Sequence, residues 1–137
     1  MATVLCVGHA VQDFVFAVPE MPRAAKKYRA GAFTSVGGGP AATAAVTVAR
    51  LAARIGADDV GTLILAELKS YGVDCKWVRR FPERHSSVSA VLLDPQGERM
   101  IVNHLDHDMP ASAAWLPEID DQTGAVLADV RWADGAK

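Results

Sequence analysis

The chain has 137 residues, one domain's length, and half of them are hydrophobic, enough to build a packed core. Fourteen Lys and Arg stand against 16 Asp and Glu, a net charge of −2 with no basic patch or charged tail of the kind that nucleic-acid binding uses. No apolar run approaches the roughly 18 residues of a membrane span, no signal-peptide pattern opens the chain, and two cysteines make no disulfide framework, so a cytoplasmic protein without nucleic-acid or membrane partners is expected.

Thr3 to Gly8, TVLCVG, is a continuous β-branched and apolar run, the pattern of a strand buried on both faces, and Cys6 within it reads as a buried thiol. Residues 13–18 are strand-like, and 27–36 read as a mixed, exposed strand. Residues 36–53, VGGGPAATAAVTVARLAA, hold the most informative pattern: three glycines and a proline open a helix over 41–53 made almost wholly of small residues. Glycine lets a backbone approach a ligand closely. A helix starting there offers unpaired N–H groups and the positive end of its dipole to an anion. Gly37-x-Gly39-x-x-Ala42 is also a loose dinucleotide fingerprint, but no strand leads to Asp58, the acidic residue at the right distance. The segment is not a P-loop, because no Gly-Lys-Ser/Thr follows.

A second helix is predicted over 59–71. Val60, Leu63, Ile64, Leu68 and Tyr71 share one stripe, Asp58 caps the start and Gly72 ends it. Only Arg54-Ile55-Gly56-Ala57 separates the two predicted helices, and no strand is legible there, although a doubly wound sheet needs one. Residues 87–94 and 99–104 form a predicted hairpin about Asp94-Pro95-Gln96-Gly97, which suits a type I turn. His104, Asp106, His107 and Asp108 are metal-ligand types, but read better as a solvated turn leaving the hairpin, with no metal. Residues 125–130, AVLADV, read as another buried strand, and Trp77, Trp115 and Trp132 as core or interface.

Taken together, VLCVGHAVQD, GGGPAATAAVTVARL, RIGADDVGTLILAELKSYGVD and the GER hairpin resemble the amino-terminal half of the ribokinase-like (PfkB) sugar kinases. The resemblance implies an α/β fold, a ribokinase-like three-layer sandwich in which residues 1–137 are the amino-terminal part of a single kinase domain. A small β-sheet lid would be built from 13–18, 27–36 and 87–104. It implies phosphorylation of a sugar hydroxyl by ATP with Mg²⁺, and a homodimer through the lid. The family's catalytic Gly-Ala-Gly-Asp motif and nucleotide site belong to its carboxy-terminal half. The resemblance thus places the catalytic aspartate beyond Lys137, so no catalytic residue is expected here and these residues alone are expected to be inactive. The family also carries about half a dozen further residues between Leu51 and Arg54, where its strand lies.

Within the family, VGGGPAATAAV, GERMIVN and VLADVRWADGAK are most similar to the branch acting at C1 of 6-deoxy-6-sulfofructose, an anionic sugar. The alternatives are a kinase for fructose 6-phosphate or another sugar, and a non-catalytic substrate-binding module. The resemblance assigns Asp13 to sugar hydroxyls, since one carboxylate accepts from two at once. Gly37, Gly38 and Gly39 would bring backbone N–H groups to the substrate, and Thr43 stands where many members have Asn. Lys27, Asn103 and Arg131 would surround the sulfonate as a point charge, a neutral donor and a planar fork. Arg131 follows the predicted buried strand, where an unpaired guanidinium is costly, and this too points to an anionic ligand or a carboxylate partner.

Overall fold

The computed structural model describes residues 3–137. In chain order its elements are β1 (Thr3–Gly8), β2 (Val11–Ala17), β3 (Ala32–Gly38), α1 (Pro40–Val48), β4 (Ala49–Gly56), α2 (Asp59–Ser70), β5 (Asp74–Phe81), β6 (Ser87–Leu93), β7 (Arg99–His104) and β8 (Thr123–Ala128), with a closing 3-10 turn at Asp134–Ala136. They form two four-stranded sheets, a parallel one ordered β5-β4-β1-β8 and a mixed one ordered β3-β2-β6-β7.

The parallel sheet is the body. β1 lies inside it, and Leu5, Cys6 and Val7 are buried as the continuous apolar run requires. Burial pushes the Cys6 thiol's pKa up. One face is covered by α1 and α2, where Cys6, Ala45, Leu51, Ala53, Ile55, Ile64 and Leu68 make the larger core. The alanines of α1 let it lie close to the sheet. On the other face Leu5, Val7 and Ala52 pack with Trp132, and Trp77, Trp115 and Leu116 close over them. Trp115 stacks on Trp132 at 5.6 Å between ring centroids.

The strand that was not legible between the helices is present. α1 stops at Val48, and the next residue already belongs to β4. Leu51, Ala53 and Ile55 alternate with Arg50, Ala52 and Arg54 and face the larger core, a period-two pattern hidden by residues that intrinsically prefer helix. α1 is nine residues long and is joined to β4 without a loop.

The mixed sheet is the lid, and two expectations, one for the lid and one for the body's edge, need correction. The lid's second strand begins at Ala32, so Lys27 lies in the connection from β2 to β3 and not on a strand. The hairpin and its turn stand as expected, with the Asp94 carboxylate accepting from Gln96 and Glu98 N–H and Gly97 at φ +84°. Among the described residues β8 is not buried: it is the last strand of the body sheet, and Val126 and Leu127 are about half exposed (45% and 53%).

Carboxylates fasten the chain where it passes between body and lid. Asp58 caps α2 through Gly61 N–H at 2.8 Å and also accepts from the Ser86 hydroxyl (2.6 Å) and N–H (2.9 Å), just before β6. Asp106, just past β7, accepts from His85 N–H at 2.8 Å and from Asp108 N–H at 2.9 Å. Asp106 thus organises the turn in which His107 and Asp108 sit. Among the described residues no helix is long and apolar enough to cross a membrane.

Candidate functional site

Strand register builds the site. Asp13 on β2 pairs with Ser89 on β6, and Ser89 pairs with Asn103 on β7. Directly opposed residues share a face, so carboxylate, hydroxyl and carboxamide stand in one row across the lid. The neighbouring row on that face is apolar, with Val15, Val91 and Ile101 in register. Beneath lies a cleft of about 230 Å³ whose floor is His9, Gly39 and Pro40 and whose mouth carries Arg131.

The glycines make the cleft possible. A Cβ on Gly38 would collide with the Asp13 carboxylate, and one on Gly39 with the His9 carbonyl. Gly39 is at φ +97°, a region that favours glycine. Gly37 has a different role from the one expected: its N–H donates to Glu67 Oε2 at 2.8 Å, so it ties β3 to α2 and is not free for a substrate.

The start of α1 is likewise not open to an anionic ligand. The Asp129 carboxylate occupies it, accepting at Oδ2 from Ala41 N–H (3.2 Å) and His9 N–H (2.8 Å). Its other oxygen accepts from Arg131 N–H at 2.8 Å, which turns the chain so that Arg131 reaches the cleft. Gly8 leaves room for this carboxylate, since a Cβ there would collide with it.

Of the sequence-derived candidates, the structure brings together Asp13, Gly39, Asn103 and Arg131, with Gly38 making room for the Asp13 carboxylate. Arg131 is exposed and sits in the turn after β8, not on a strand, so the cost of burying its charge gives no support for a ligand. Lys27 is exposed and is not among the residues lining the cleft. Thr43 is exposed on α1 and lines a separate groove of about 310 Å³ toward α2, with Val46, Thr47, Leu68 and Tyr71. Lys137, beyond which the resemblance puts the catalytic aspartate, is no part of the cleft either. Its ammonium donates to Asp134 Oδ1 at 3.0 Å, and it borders a different cavity on the tryptophan face, beside Leu5, Val7 and Trp77.

Sequence reasoning missed Ser89, His9 and Asp129. The alternation of Ser87, Ser89 and Val91 was a signal that Ser89 shares a face with cleft residues, but only the register sets it between Asp13 and Asn103. Burial is the main cause that lowers the His9 pKa. Arg131 and Arg54 push the same way, and Asp129 and Asp13 oppose them. His9 is thus held neutral near pH 7, a donor or acceptor at the floor of the cleft. The whole offers acceptors and donors to a hydroxyl-rich ring and an apolar row to its carbons.

A parallel α/β body whose first strand leads straight into a four-stranded lid, with a polar cleft between them, defines a ribokinase-like fold. The model of the pfkB family of carbohydrate kinases matches residues 1–127. An ATP-dependent ribose-1-phosphate kinase of Halopiger xanaduensis is 31% identical over 128 residues, covering 89% of this chain and 42% of that protein. A crystal structure from Agrobacterium tumefaciens, provisionally assigned as a ribokinase, superposes with a TM-score of 0.83 at 33% identity, covering 96% of this chain and 46% of the other. Arabidopsis thaliana ribokinase, solved with ribose and ATP, shares the fold at a TM-score of 0.71 and 23% identity, covering 93% of this chain and 45% of its own. This chain belongs to the pfkB carbohydrate kinase family, and it spans less than half the length of these relatives.

Proposed function

We propose that the whole protein transfers the γ-phosphoryl group of ATP to a hydroxyl of an anionic sugar, and that this chain supplies the side that holds the sugar. The observation that carries the proposal is the row Asp13–Ser89–Asn103 beneath the lid, with Arg131 at its mouth. Asp13 accepts from two ring hydroxyls and fixes the sugar's orientation, Ser89 and Asn103 complete the polar edge, and Val91 and Ile101 contact the ring carbons. Arg131 supplies the charge that favours a sulfonate or phosphate over a neutral sugar.

6-Deoxy-6-sulfofructose is the substrate favoured by VGGGPAATAAV, GERMIVN and VLADVRWADGAK. Ribose 1-phosphate is the rival, suggested by the name of the Halopiger relative. Both carry an anion and free hydroxyls. ATP and Mg²⁺ enter through the class of reaction, the metal neutralising phosphate charge. No described residue is assigned to either, because Asp129 already fills the helix start that a phosphate would use. The reaction belongs to the cytoplasm. A homodimer would form through the lid face turned away from Asp13, where Phe33 and Val102 are exposed.

Calorimetric titration with 6-deoxy-6-sulfofructose, ribose 1-phosphate, fructose and ribose tests the assignment. Anionic sugars are expected to bind more tightly than neutral ones, and Asp13→Asn to weaken all of them. Sugar affinities indifferent to Asp13→Asn would remove the polar row from the site.

A further inference from the structure

A second pocket, of about 160 Å³, opens beside the sugar cleft and shares His9 and Arg131 with it. Arg54, His85, Asp106 and His107 complete its charged and titratable lining. These residues come from separate places: β4, the lead into β6, and the turn after β7. Arg54 is partly buried, lies over the Trp132 ring at 4.8 Å and donates from Nη1 to the Pro110 carbonyl at 2.7 Å. Among the described residues neither Arg54 nor Arg131 has a carboxylate within 4.0 Å of its guanidinium.

The single carboxylate of the pocket, Asp106, is already engaged by His85 N–H, Asp108 N–H and, at 3.8 Å, Arg84. Two guanidiniums without a close carboxylate, the charge of Arg54 partly offset by the more distant Asp134, thus share a small polar space with His85, His107 and a neutral His9, facing one occupied acid. A space of that charge fits an anion with several acceptor oxygens, and Trp132 holds Arg54 as a pre-set fork.

We propose that this pocket seats the substrate's anionic group, a phosphate ester or sulfonate, while the sugar ring lies in the adjoining cleft against Asp13. Arg131 bridges the two compartments. Arg54, with His85 and His107, then sets the preference for charged over neutral sugars, and Lys27 takes no part. The inference rests on the sugar-binding reading above and deepens it.

The test compares dissociation constants by calorimetry for two pairs of probes: ribose against ribose 1-phosphate, and fructose against 6-deoxy-6-sulfofructose. In the unaltered protein the charged member of at least one pair is expected to bind at least tenfold more tightly, and the responding pair tells phosphate from sulfonate. Arg54→Gln should erase most of that ratio. His107→Glu, an exposed substitution that adds a negative charge and leaves the packing of Arg54 on Trp132 intact, should do the same and keeps the test valid if Arg54→Gln fails to fold. A ratio unchanged in His107→Glu and in folded Arg54→Gln, or lost only in Lys27→Gln, overturns the anion pocket while the sugar cleft stands. Failure of every sugar to bind the unaltered protein overturns both.

Discussion

Asp13 and Gly38 work as a pair, one providing the carboxylate and the other the empty space in which it sits. Adding a single methyl group with Gly38→Ala must therefore displace Asp13 or the strand beneath it. The expected loss of sugar affinity is about tenfold or more, comparable to losing one charge-assisted hydrogen bond. A double-mutant cycle with Asp13→Gly measures the coupling, and strictly additive effects would show that the two residues act separately. At this scale the sequence singled out Asp13, Asn103 and Arg131 by their own chemistry and by the resemblance, and the fold brings them to one cleft. Ser89 and Asp129 were not legible because their positions depend on partners 76 and 88 residues away, Asp13 and Ala41. Lys27 shows the converse. Its charge suits an anion, but the β2–β3 connection leaves it away from the cleft.

Helix α2 was legible down to its caps, because cap chemistry is local: Asp58 accepts from Gly61 N–H and Gly72 follows at φ +78°. Asp58 does more than cap, since Ser86 ties the entrance of lid strand β6 to the same carboxylate. Burial pushes the Asp58 pKa up, but the hydrogen bonds from Ser86 and Gly61 outweigh it and leave the carboxyl below its ordinary value of 3.8. A carboxyl whose pKa is lower in the folded state stabilises the fold above the unfolded pKa, and that contribution disappears as pH falls through the folded one. Asp58→Asn keeps a good cap but loses one of the two oxygens that accept from Ser86, so it should cost about 1–2 kcal/mol near neutral pH, with the gap from the unaltered protein closing on acidification. Urea melts at several pH values read this directly, and a gap that widens toward acid would contradict it.

Strand β4 was illegible for the opposite reason. Ala, Arg and Leu favour helix locally, and only the demand of a parallel sheet turns ARLAARIG into a strand. Leu51 is 1% exposed there, so Leu51→Ala should cost about 2–5 kcal/mol. A cost near zero would return this segment to the surface of a helix.

At the scale of the whole molecule, the class of fold came from the motifs that resemble the ribokinase-like kinases and not from the order of elements, and the exposure of β8 could not be read from its apolar sequence. An AVLADV run looks the same in a sheet's centre and at its edge. In this chain, which spans less than half the length of its relatives, it is the edge among the described strands, with Val126 and Leu127 open to solvent. The isolated 137-residue chain should therefore self-associate as concentration rises. Sedimentation velocity should show that trend, reduced by Leu127→Lys, and a strictly monomeric chain at every concentration would contradict it.

The most direct single measurement is ADP release by the whole protein, with Mg·ATP and a panel of 6-deoxy-6-sulfofructose, ribose 1-phosphate, fructose 6-phosphate, fructose and ribose, run beside its Asp13→Ala variant. Turnover of an anionic sugar, with kcat/KM about 100-fold or more lower in the variant, is the predicted result, because two charge-assisted hydrogen bonds are lost. Turnover of none of these sugars, or turnover untouched by Asp13→Ala, would contradict the assignment of the cleft beneath the lid as the sugar site of a kinase.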